Sequence, residues 1–133
     1  NELVKQPKVY GFDTGMVSFA RGWDPLRHED LGVLWEHFVL EHLQARYPQA
    51  PVRYWRDKAQ RELDFVLAHG RDAVDVIECK WDPAAFDLAA LRVFRGYYPN
   101  GRNYLVTPSG EPAYTRQYGT LAVRVCTPTE LHP

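Results

Sequence analysis

Residues 61–81 read RELDFVLAHGRDAVDVIECKW, and the rest of the chain is organised around them. Apolar and polar residues alternate on both sides of the polar run His69–Asp72, the pattern of two strands joined by a tight connection. Side chains in a strand alternate faces, which sets Glu62, Asp64 and Val66 on one side and Leu63, Phe65 and Leu67 on the other. In the second strand Val74, Val76, Glu78 and Lys80 share a face, with Ile77, Cys79 and Trp81 behind them. Pairing Ala68 with Val74 across a five-residue loop places Asp64 directly opposite Glu78. A register shifted by two residues keeps both acids on one face as diagonal neighbours. Two carboxylates and an amine then sit beside valines, a placement that is costly without compensation.

Upstream, residues 29–47 form the strongest helical pattern, ended by Pro48. Leu31, Val33, Leu34, Trp35, Phe38, Val39, Leu40, Leu43 and Tyr47 make one wide apolar arc, with His37, Glu41 and Gln44 on a narrow polar face. Glu36 falls inside the apolar arc, so it is expected to be paired, protonated or bound to a cation, or else to reach solvent at the rim. Before this helix, residues 8–12 read as a short strand, Asp13-Thr14-Gly15 as a turn with Asp13 as a cap, and residues 16–20 as a short helix. Asp24-Pro25 opens the next segment. Residues 52–56 are a strand that completes a three-stranded meander with the hairpin. Residues 86–98 form a second helix between Pro83 and Pro99-Asn100-Gly101, and residues 103–107 and 121–125 are the last two strands. A helical crossover ahead of the fourth strand favours a mixed sheet flanked by helices, an α/β class.

A chain of 133 residues fits one domain over residues 1–133, and 45% hydrophobic content excludes general disorder. The net charge of −1 gives no global basic field, so nucleic-acid affinity has to come from a local patch or bound cations. Two cysteines imply no disulfide framework, and reduced thiols in a cytoplasmic protein are the expectation. There is no apolar run of membrane-spanning length and no signal-peptide pattern, so no membrane partner is expected. The chain opens on Asn1 and its only methionine is Met16, which suggests a piece of a longer polypeptide.

Asp64 and Glu78 offer hard oxygen ligands for Mg²⁺ or Mn²⁺, and the Cys79 backbone carbonyl lies between Glu78 and Lys80 as a further donor. Lys80 beside such a cation could orient or deprotonate an attacking water, and Glu36 could add a third carboxylate. That set suits phosphodiester hydrolysis, where developing negative charge needs cations around it. Glu-X-Lys at a strand end is common on solvated faces, and the signal comes from its combination with Asp64 and the helical Glu36. Arg53, Arg56, Lys58 and Arg61, interleaved with Tyr54 and Trp55, form a candidate phosphate-contacting rim for DNA, or an ordinary strand edge with Trp55 in the core. Arg92 and Arg95 could extend that rim but read more simply as a solvated helix face, Trp35 and Trp81 as core, and the five histidines as surface or capping residues.

The order of Glu36, Asp64 and Glu78-Cys79-Lys80 resembles the PD-(D/E)XK nuclease superfamily, the restriction-endonuclease-like fold with an αβββαβ core. More closely, KVYGFDTG (8–15), DLGVLWEHFVLEHL (30–43), YWRDKAQRELDFVL (54–67) and VIECKW (76–81) resemble a prokaryotic family of uncharacterised domains at the C-terminal end of AAA+ type ATPases. The resemblance implies Asp64 and Glu78 as metal ligands, Lys80 as the catalytic lysine and Glu36 as an accessory acid. It also implies an ATPase domain, and hence an ATP site, on a preceding part of the polypeptide. Leu63 stands where the superfamily pattern has proline, and the second helix lacks the Gln-X-X-X-Tyr signature of recombination-type members. Three readings follow: a Mg²⁺-dependent nuclease-like domain acting on DNA, a non-cleaving module of the same fold that binds nucleic acid or a protein, and a toxin or phage-defence effector with the chemistry of the first.

Overall fold

In the computed structural model, which describes residues 28–108 and 112–131, the hairpin lies inside a six-stranded mixed sheet. Its elements are α1 (His28–Arg46), β1 (Arg53–Arg56), β2 (Glu62–His69), β3 (Ala73–Cys79), α2 (Leu88–Tyr97), β4 (Asn103–Val106), β5 (Tyr114–Tyr118) and β6 (Leu121–Cys126). The strand order is β1-β2-β3-β4-β6-β5. β1, β2 and β3 form the expected antiparallel meander. β4 joins β3 in parallel through the α2 crossover, β6 joins β4 in parallel, and β5 closes the far edge antiparallel to β6. The expected strand at residues 8–12, the Asp13 cap, the helix at 16–20 and the Asp24-Pro25 start lie outside the described residues, as does His132.

Among the described residues, each face of the sheet is covered by one helix. Trp35, Val39, Leu40 and Leu43 of α1 pack with Phe65, Leu67, Ile77, Cys79, Tyr104 and Val106. Ala90, Leu91 and Phe94 of α2 pack with Val66, Val76, Leu105, Val123 and Val125 on the other side. β4, at the centre, is buried at all four positions, as a strand covered on both faces must be. α2 starts at its N-cap Asp87, whose Oδ1 accepts from Ala89 N–H at 2.9 Å. It is therefore shorter than the 86–98 span, because Phe86 caps the preceding 3-10 turn Pro83–Ala85. Among the described residues no helix is long and apolar enough to cross a membrane.

Several sequence expectations shift. Phe38 is 46% exposed, because it lies about 60° around the helix from Trp35 on the side away from the sheet, where it stacks on the Trp35 ring at 5.5 Å. His37 is buried, together with Asp30, two turns earlier on the same side of α1. Trp81 is 41% exposed. β3 ends at Cys79, so the alternation that would have carried Trp81 inward stops, and the indole meets Trp35 edge-on at 6.1 Å. β5 had no counterpart in the sequence reading. Its residues Tyr-Thr-Arg-Gln-Tyr are exposed or half-buried, so no apolar alternation marks it. The signal available was the two-residue turn Gly119-Thr120 ahead of Leu121, with Gly119 at φ +63°.

Candidate metal centre at the opening between β2 and β3

The β2–β3 ladder pairs Ala68 with Val74 and runs to Phe65–Ile77, the register that places Asp64 opposite Glu78. One more pair, His69–Ala73, forms at the turn, leaving Gly70 at φ +60° in a three-residue connection. On its other edge β2 carries an extra residue. Arg53 pairs with Val66 but Trp55 pairs with Leu63, so three steps on β2 match two on β1. This bulge carries Leu63 across the sheet. It packs with Val66 in the α2-side core rather than with Phe65 and Leu67, which corrects the simple alternation.

Asp64 sits inside the bulge, where the ladder bonds give way to side chains. Its N–H donates to Glu78 Oε1 at 2.5 Å, and its own Oδ2 accepts from Cys79 N–H at 2.8 Å. Each carboxylate thus holds the main chain of the opposite strand. Along β3, the N–H groups of Val74, Val76 and Lys80 donate to carbonyls of Asn100, Arg102 and Val106 on the β4 side. Residues of the other parity turn toward β2, so the Cys79 carbonyl faces the opening that its N–H already spans.

Glu78 is buried, while Asp64, Lys80 and Glu36 are half-buried. Burial holds the Glu78 carboxyl well above the usual range, and the charge of Asp64 adds to it. The Asp64 N–H bond and Lys80 oppose the rise, and Glu36 reinforces it. The Cys79 thiol is raised by burial and then by Asp64, Glu36 and Glu78. Asp64, Lys80 and Glu36 therefore act on both residues, and Glu78 acts on Cys79. Among the described residues Lys80 closes no ion pair with Asp64, Glu78 or Glu36. Nor do three His, Cys, Asp or Glu side chains among them converge as a ready metal cage. The nominated donors are two carboxylates and one peptide carbonyl, all hard oxygens. This set fits a cation such as Mg²⁺, which retains several waters and needs few protein ligands.

The basic rim is arranged differently from its sequence reading. Arg56 is tied to Glu62 at 2.6 Å and Arg61 to the buried Asp57 at 2.7 Å. Trp55 is fully buried against Phe94 and offers no stacking surface. Arg53 and Lys58 carry no such carboxylate pairing among the described residues. Arg95, read as solvated, is buried instead. Its Nε donates to Asn103 Oδ1, and its terminal nitrogens donate to the carbonyls of Tyr98, Asn100 and Arg102. No local sequence pattern marks this role, because its partners lie in the loop that follows α2 and in β4.

Over 72 residues the chain is 40% identical to an uncharacterized protein of Mycobacterium tuberculosis and to one of Mycobacterium bovis. Each match covers 50% of this chain but only 16% of the relative. Among solved structures it is similar to part of a half-complex from a Thermococcus gammatolerans assembly of McrB AAA+ hexamers with bound McrC. That similarity has a TM-score of 0.48 at 19% identity and covers 72% of this chain and 27% of the other. Residues 31–127 match the family model described as Domain of unknown function (DUF4143). That span holds β1 to β6, Glu36 and the whole β2–β3 opening, and the chain belongs to this family.

Proposed function

We propose that this chain is a divalent-cation-dependent nuclease-like domain that hydrolyses DNA phosphodiester bonds, with its centre at the β2–β3 opening. The observation that carries the reading is the crossed pair of carboxylates: Asp64 and Glu78 meet where the ladder parts, with the Cys79 carbonyl facing the same gap. Asp64, Glu78 and that carbonyl would hold Mg²⁺ or Mn²⁺. The cation would supply positive charge to the phosphate and acidify a bound water. Lys80, without a carboxylate partner among the described residues, is left to orient the attacking water. Glu36 adds negative charge from α1, which raises the demand for a cation at this point. Arg53 and Lys58 are the rim residues left to meet phosphates, since the exposed Arg56 and Arg61 are already paired with Glu62 and Asp57. The sequence resemblance to domains at the end of AAA+ type ATPases supports attachment to an ATP-binding domain in a longer chain.

The test is incubation of the purified protein with single-stranded and supercoiled DNA in Mg²⁺ or Mn²⁺. Cleavage by the wild type, lowered about 10²-fold or more by Lys80→Ala, is expected if Lys80 handles the proton. Absence of cleavage with either metal and every substrate would overturn the reading.

The same crossed carboxylates support a second reading, in which they are only staples. Asp64 and Glu78 each satisfy a main-chain N–H of the partner strand without any cation. The domain would then be a non-cleaving module that binds nucleic acid or a protein partner. On that reading metal neither binds nor stabilises the chain.

A further inference from the structure

Among the described residues, a second group of arginines lies away from the β2–β3 opening. A cleft of about 500 Å³ lies where β4, β6 and β5 meet the loop after α2, and three of its wall residues are Arg95, Arg102 and Arg124. Among the described residues none of the three forms an ion pair, in contrast to Arg56 and Arg61. The hydrogen-bond partners of two of them are neutral: Arg95 holds main-chain carbonyls and Asn103, and Arg124 reaches Thr115 Oγ1 at 3.3 Å. Among the described residues Glu130 is the one carboxylate on the wall; Thr127 N–H and Oγ1 engage it, and its charge also faces Arg124. Asp75, whose charge also reaches Arg95 and Arg102, is held by His69 Nε2 at 2.7 Å and by Arg102 N–H.

Arg95 also fixes the cleft floor. Four of the five guanidinium N–H groups are spent on Asn103, Tyr98, Asn100 and Arg102, so the cation is fastened in place by groups that carry no charge. Pro99, Leu121 and Ala122 supply an apolar wall beside the three cations. An adjoining hollow of about 540 Å³ shares Arg95, Pro99 and Leu121 and adds Arg92. A site of a few hundred Å³ whose wall holds three arginines and apolar surface suits a small phosphorylated molecule. The parallel register sets Asn103 beside Val76, three residues or about 10 Å along β3 from Cys79, and the cleft extends from there toward the opposite sheet edge.

We infer that this arginine-lined cleft binds the phosphates of a nucleotide-sized ligand, independently of the carboxylate centre. Calorimetric titration of the 133-residue chain with ADP, adenosine and inorganic phosphate tests it. ADP is expected to bind, phosphate to compete with it, and adenosine to bind at least about 100-fold more weakly, since the cations address only the phosphates. The Arg102→Ala, Arg124→Ala double variant is expected to lose about 100-fold in ADP affinity. Thr115→Glu, which sets a carboxylate beside Arg124 at an exposed position, is expected to lose about 10-fold and decides the question if the double variant does not fold. Asp64→Asn should leave ADP binding unchanged. Three results would overturn the inference: no heat with ADP, ADP binding that ignores the arginine and Thr115 substitutions, or a dT12 oligonucleotide or polyglutamate that binds the same arginines more tightly than ADP.

Discussion

Asp64 lies within the β2 bulge, and both its main chain and its carboxylate reach β3 through side-chain bonds. Glu78 makes the return bond from a buried site, so its acceptor oxygen and its charge can be separated by substitution. Glu78→Gln keeps an oxygen for the Asp64 N–H and removes the charge, whereas Glu78→Ala leaves that donor without its partner. The alanine variant is expected to be less stable than the glutamine variant by about 1–3 kcal/mol in urea denaturation. Equal stabilities would mean that the bond contributes nothing. The two thiols carry a pH prediction. Burial pushes Cys126 up to about 11 from an ordinary 9.0, and Cys79 is raised as well. A raised folded-state value means the native chain keeps protons that the unfolded chain releases. Stability from the Cys126 thiol is therefore complete below pH 9 and lost as pH climbs through about 11. Melting temperatures taken from pH 8 to 11 should fall, and replacing Cys126 by Ser should flatten part of that fall.

The crossover from α2 to β4 is the element on which the parallel half of the sheet hangs. Arg95 ties the end of α2, the loop after it and β4 with four hydrogen bonds. Truncating it to alanine leaves buried acceptors unpaired, and a loss of about 3 kcal/mol or more is expected from chemical denaturation. Lysine should not rescue it, because a single ammonium cannot reproduce the guanidinium fork. In the same loop Gly101 has φ +134°, and a Cβ there would lie 1.9 Å from the Val74 carbonyl oxygen. Gly101→Ala is expected to be comparably destabilising, since the clash is with the backbone of β3 rather than a movable side chain. Here the limits of reading from sequence are physical. The hairpin was legible because alternation over eight and seven residues specifies faces and register at once. Arg95 was not, because its three-residue spacing from Arg92 resembles any solvated helix stripe and its acceptors belong to other elements. β5 was not, because an exposed edge strand carries no apolar period.

At the scale of the molecule, two helices on a mixed sheet were readable from the order of elements, while the bulge that moves Leu63 was not. Counting residues left Asp64 and Glu78 either opposite one another or diagonal, and the structure takes the Ala68–Val74 register that sets them opposite. What counting could not supply was that each acid bonds the other strand's main chain, which gives both a structural use. The two uses separate at Lys80. It is half-buried and closes no ion pair with those acids among the described residues, so Lys80→Ala should change unfolding free energy by no more than about 0.5 kcal/mol. A drop of several kcal/mol would place Lys80 in a structural network instead. The most direct measurement is a calorimetric titration of the chelator-treated chain with Mn²⁺, in parallel with Asp64→Ala. Saturable binding to the wild type that disappears in a folded Asp64→Ala variant is the expected result. No binding to the wild type, or equal binding to both, would contradict a metal centre at the β2–β3 opening.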